Sequence, residues 1–136
     1  MKRLAVLDRY TKAKYRTEQH ILRKYLFDGE LGSCGICGKD YPIKFFSAAH
    51  IKKRSKCTDD EKRDLNLVMP ACYFGCDSLF EKGYITVESG MVKDHSNGKS
   101  TSIKIRRYIN NIVGKKCKYW TKDSKKYFIY HSKNAT

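Results

Sequence analysis

Cys34-Gly35-Ile36-Cys37 and Cys72-Tyr73-Phe74-Gly75-Cys76-Asp77 bracket Ala48-Ala49-His50-Ile51 and Asn66, and Leu79-Phe80-Glu81-Lys82-Gly83 follows directly. Paired cysteines with two and three intervening residues have metal-ligand spacing. Four thiolates at about 2.3 Å close a tetrahedral zinc site with no open position, so an ion held by Cys34, Cys37, Cys72 and Cys76 is structural. Such an ion would tie the first knuckle to the start of a short helix and set His50 opposite Asp77. The six cysteines would also permit three disulfides, but the close pairs favour metal. Cys57 and Cys117 stand outside the pairs; Cys57 is either a substitute ligand or a free thiol.

Moving outward, residues 43–51 are rich in aromatic and β-branched types and read as a strand ending at His50. Charged residues 52–64 read as an exposed loop. Leu67-Val68-Met69-Pro70 reads as a second strand stopped by proline, and Asp77 to about Lys82 as a helix capped by Gly83. On the N-terminal side, residues 1–30 read as a basic helix. Ile21, Leu22, Tyr25 and Leu26 share one face, Arg23 and Lys24 face away, and Asp28-Gly29 is the stop. That helix either packs with a solvated basic side or touches phosphates directly. On the C-terminal side, Glu88-Ser89-Gly90 joins two short strands, and residues 94–102 form a polar loop. A helix from Ile103 carries the stripe Ile105, Tyr108, Ile109, Ile112 and Val113, with Arg106, Arg107 and Asn110 opposite and Gly114 at its end. The tail, residues 115–136, interleaves lysines with Tyr119, Trp120, Tyr127, Phe128 and Tyr130.

A chain of 136 residues supports one domain rather than two good cores. It divides into a basic helix (1–30), a zinc-braced centre (34–83) and a hairpin, helix and aromatic tail (84–136). The 40% apolar share allows only a modest core, for which a metal is a useful brace. The net charge of +15, with ten tyrosines and six phenylalanines, points to nucleic acid as partner. No run approaches the roughly 20 apolar residues of a spanning helix, so no membrane role is expected. Residues 1–7 briefly imitate a signal peptide, but Asp8 and Arg9 end the run. A cytoplasmic location is expected.

The chemistry rests on few side chains. His50 as a neutral imidazole can take a proton from water attacking a phosphodiester, or it can be a structural histidine at a strand end. Asn66 would hydrogen-bond backbone of the intervening loop and hold the histidine strand, or merely cap a turn. Asp77 and Glu81, four apart on a helix, share a face. Together they suit Mg²⁺ or Mn²⁺, which takes one or two carboxylates and keeps waters for a substrate phosphate. Asp77 is equally a favoured first-turn residue, and Glu81 can instead pair with a lysine. Lys52, Lys53, Arg54, Arg106 and Arg107 are the candidate phosphate contacts.

In this order, Cys-x2-Cys, Ala-His-Ile, Asn, Cys-x3-Cys-Asp and Leu-Phe-Glu-x-Gly resemble the HNH endonucleases with a ββα-metal finger, especially their Ala-His-Ile branch in restriction enzymes. The resemblance covers about fifty residues. Tyr127-Phe128-Ile129-Tyr130-His131 weakly resembles the end of such nucleases. The resemblance implies an α+β fold with two strands and a helix around one Mg²⁺-type ion, often braced by a four-cysteine zinc. It implies His50 as general base, Asn66 as the middle asparagine and Asp77 as the catalytic-metal ligand. Two departures stand out: Ala49 replaces an aspartate that many members carry, and Asp77 replaces a final histidine or asparagine. The expectation is a metal-dependent DNA endonuclease, a restriction enzyme or its nuclease module, acting on double-stranded DNA and dimerising to cut both strands. The alternatives are a non-catalytic zinc module that binds nucleic acid, and a toxin or homing nuclease.

Overall fold

The computed structural model describes residues 2–135, with side chains described from residue 12 onward. The side chains of the apolar run at residues 1–7 lie outside the described residues. The chain is α+β: helices packed with three antiparallel two-stranded sheets. No helix among the described residues is long and apolar enough to cross a membrane.

Helix α1 (Lys2–Leu26) leads into strands β1 (Leu31–Ser33) and β2 (Asp40–Pro42), which frame the first cysteine pair. Strand β3 (Phe46–His50) then pairs with β4 (Val68–Cys72) in the register Phe46↔Cys72, Ala48↔Pro70 and His50↔Val68. A short helix α2 (Asp59–Lys62) lies between them. Helix α3 (Cys76–Glu81) follows β4 directly, and β5 (Ile85–Glu88) turns back to β6 (Met91–Asp94) through Ser89 and Gly90, both at positive φ. Helix α4 (Ile103–Ile112) starts on a Ser102 side-chain cap, and α5 (Lys125–Asn134) closes the fold against β5. One buried cluster joins these parts, with Phe46, Met69, Phe80, Val87, Ile109, Tyr127 and Phe128 fully enclosed.

Several expectations are corrected. The strand expected over residues 43–51 begins only at Phe46, because residues 43–45 form a 3-10 turn. The second strand does not stop at Pro70 but runs on to Cys72. In a two-stranded sheet one edge of β4 is unpaired, so a residue without N–H is tolerated there. The Pro70 carbonyl instead accepts Gly35 N–H at 2.8 Å, which seats the first knuckle on the sheet. The charged loop 52–64 contains α2, started by a full capping box between Thr58 and Glu61. The packed face of α1 carries Leu22, Leu26 and Arg23, while Ile21 and Tyr25 are exposed. Arg23 does not face away: its guanidinium donates to the carbonyls of Phe46 (2.6 Å) and Ile43 (2.7 Å). The packing role of α1 therefore holds on this side. The aromatic tail includes a helix that its dense lysines concealed.

Candidate functional site

The four paired cysteines converge. Cys34, Cys37, Cys72 and Cys76 are buried and free of disulfides, and their sulfurs all lie within 4.8 Å of one another. Sulfurs at about 2.3 Å from a common ion sit about 3.8 Å apart, so this group could hold a metal such as zinc. Backbone supports it as knuckles require: Ile36 N–H and Cys72 N–H each donate to the Cys34 sulfur at 3.4 Å. Gly75, at φ +154°, leaves room that a Cβ would fill against Tyr108, 2.6 Å away. The Tyr108 hydroxyl lies 3.0 Å from the Cys76 sulfur and 3.6 Å from that of Cys72. Hydrogen bonds among the four thiols draw their pKa values apart, Cys72 and Cys37 downward and Cys34 and Cys76 upward, so the cluster gives up its protons unevenly. Thiolate is the metal-binding form. Among the described residues Cys57 belongs to no such group; its thiol faces the carbonyls of Lys52 and Lys53.

Next to this centre β3, the segment after it, α3, α5 and α1 enclose a groove of about 570 Å³. It is lined by His50, Asp77 and Glu81 together with Lys53, Arg54, Ser47, Tyr15 and His131. The side chains expected to carry chemistry on the strand and on the helix thus face one space. His50 is half-buried at the end of β3, and no group among the described residues hydrogen-bonds its ring. Burial first, and then the Arg54 charge, lower its pKa, with Glu18 opposing, so the imidazole is neutral at physiological pH. Asp77 lies in the first turn of α3. Burial raises its pKa, the Glu81 carboxylate adds to this, and the nearby Ser47 hydroxyl partly offsets these effects. The two carboxylates share one face of α3 at the groove. His50, Asp77 and Glu81 do not themselves close a three-ligand set; among the described residues only the four cysteines do.

The remaining candidates fall elsewhere. Asn66 does not bond the backbone of the intervening loop. Its amide and its backbone N–H both donate to Asp64 Oδ1, at 3.0 and 2.9 Å, and the Tyr127 hydroxyl donates to Asp64 Oδ2 at 2.5 Å. Asn66 therefore braces the turn before β4 on the Asp64 carboxylate, and Asp64 links this turn to α5 through Tyr127. Lys53 and Arg54 reach the groove, with Arg54 held by Glu18 of α1 at 2.9 and 3.1 Å. Lys52 pairs with Glu61 at 3.0 Å and lies over the Tyr130 ring. Arg106 pairs with Asp94 at 2.8 Å and donates to Ser96, lowering Asp94 to about 2. Arg106 and Arg107 do not line the groove.

Sequence reasoning gave no role to His131. Its Nε2 donates to the Phe80 carbonyl at 2.8 Å, its ring stacks on Phe80 at 3.7 Å, and Nδ1 is buried without a partner. It pins α3 from the α5 side, a link that only tertiary structure reveals. The chain matches no protein-family model and no curated protein.

Proposed function

We propose that the chain is a metal-dependent DNA endonuclease of the ββα-finger type, with a structural zinc on Cys34, Cys37, Cys72 and Cys76. The observation that carries this reading is the groove itself. It gathers a neutral imidazole, two carboxylates on an adjacent helix and two cationic side chains, beside a thiolate cluster that fixes the helix start.

In this reading Lys53 and Arg54 hold the phosphates that flank the scissile bond. His50 takes the proton of the attacking water, its low pKa leaving the ring nitrogen free to accept. Asp77 and Glu81 hold Mg²⁺ or Mn²⁺, which when bound supplies positive charge at the leaving oxygen. Ser47 lines the groove with Asp77, and the stacked His131 keeps α3 in place. Double-stranded DNA is the substrate, and two copies of the centre are needed to cut both strands. The biological setting that fits is a restriction enzyme or its nuclease module. The test is conversion of supercoiled plasmid to the nicked form. Wild type nicks only with Mg²⁺ or Mn²⁺ and Asp77→Asn does not; a wild type inert with both ions refutes the reading.

A second reading is favoured by one observation: among the described residues the four cysteines alone form a multi-ligand cluster, and Ala49 offers no carboxylate. In that case the chain is a zinc-braced module that binds nucleic acid without cutting it. Plasmid binding without nicking distinguishes it.

A further inference from the structure

The tip of the second knuckle carries an aromatic surface that neither the groove nor the core uses. Tyr73 and Phe74 are 59% and 54% exposed, although they sit between two buried cysteines. The Phe74 ring lies 4.7 Å from that of Tyr41 and 5.4 Å from that of Phe45, the second pair stacked. The Lys44 ammonium stands 5.7 Å from the Phe45 ring. Tyr73 N–H donates to the Phe45 carbonyl at 2.9 Å, so the knuckle tip is fastened to the start of the strand that ends at His50. Solvent-facing aromatic clusters of this kind mark contact sites.

We propose that this cluster is a stacking platform for unpaired nucleobases. A second copy of the chain is disfavoured as occupant of this patch, because a two-fold contact here would bring the Lys44 ammonium groups of both copies together beside the rings. A polyanion is attracted by the net charge of +15, and Lys44 provides a local phosphate partner. Within a duplex the base faces are covered by their neighbours, so only a single-stranded or extruded base offers a free face to Phe74. The platform thus adds preference for single-stranded or locally opened nucleic acid to the charge-driven duplex binding. It rests on nucleic-acid binding but not on cleavage.

The experiment measures binding of a fluorescently labelled fifteen-nucleotide oligo-dT, and of its duplex with oligo-dA, in buffer without added divalent cations. Phe74→Leu is expected to weaken single-strand binding about 5- to 150-fold, the range for losing one stacked base, with duplex affinity unchanged. Phe74→Trp, in a Trp120→Phe background, is expected to retain affinity and to lose fluorescence as oligo-dT is added. Unchanged single-strand affinity in Phe74→Leu overturns the platform, as does an equal loss on both forms. A wild-type dimer that Phe74→Leu converts to monomer, with oligonucleotide affinity unaltered, assigns the surface to a second copy and also overturns it. If wild type binds neither form, the nucleic-acid reading itself fails.

Discussion

Removing one thiolate tests whether the brace holds the fold. In Cys76→Ser the cluster loses a ligand that is fully buried at the start of α3 and touched by the Tyr108 hydroxyl. Structural zinc binding in small domains is worth about 10–16 kcal/mol, comparable with the about 5–15 kcal/mol that separates a folded domain from its unfolded chain. The three remaining thiols are buried, so any thiolate left without the ion is an uncompensated buried charge. Even a quarter of the binding energy, about 2.5–4 kcal/mol, lowers Tm by about 8–15 °C in a domain of this size. The assay pairs thermal melting by circular dichroism with metal content by mass spectrometry, for wild type, Cys76→Ser and Cys57→Ser. Wild type should carry one zinc per chain and melt at lower temperature after a strong chelator. Cys76→Ser should carry none, and Cys57→Ser should keep its zinc and stay within about 1 kcal/mol of wild type. Zinc-free wild type whose melting is indifferent to chelator and to Cys76→Ser would refute the reasoning.

Other perturbations separate the parts of the site. Tyr127→Phe removes a hydroxyl that donates to Asp64 at 2.5 Å and should cost about 1.5–3 kcal/mol in urea unfolding, as a hydrogen bond to a charged group does. Asp77→Asn should abolish metal-dependent nicking yet raise stability without divalent ion, by about 0.2–0.5 kcal/mol from relief of the like-charge pair with Glu81. Burial holds His50 and His131 below the ordinary imidazole range, so the unfolded chain binds protons that the folded chain refuses. That contribution is fully favourable above the unfolded value of about 6.5 and is lost as pH falls through it toward the folded values. Melting temperature should therefore drop between pH 7 and 5.5, and His131→Phe should make that slope shallower.

The four-cysteine cluster was legible because spacing alone brings Cys34 to Cys37 and Cys72 to Cys76, and only the join between pairs is tertiary. The amphipathic stripe of α4 and the hairpin at Ser89-Gly90 were equally local signals. What sequence hid was decided by partners distant in the chain. Arg23 looked solvated, yet it spends its guanidinium on carbonyls 20 and 23 residues away. Pro70 looked like a strand stop, but an unpaired sheet edge makes its missing N–H harmless. Asn66 was read toward the histidine strand, whereas Asp64 two residues before it takes both its donors. His131, 50 residues after Glu81, reaches the groove only because α5 folds back over α3.

The measurement that bears most directly on cleavage is the nicking rate of His50→Ala against wild type, with plasmid binding recorded on the same samples. Loss of a positioned general base should slow nicking by about 10²- to 10⁴-fold, while plasmid affinity and zinc content stay the same. Nicking by His50→Ala at the wild-type rate would contradict the assignment of His50 as the base, whatever the rest of the groove does.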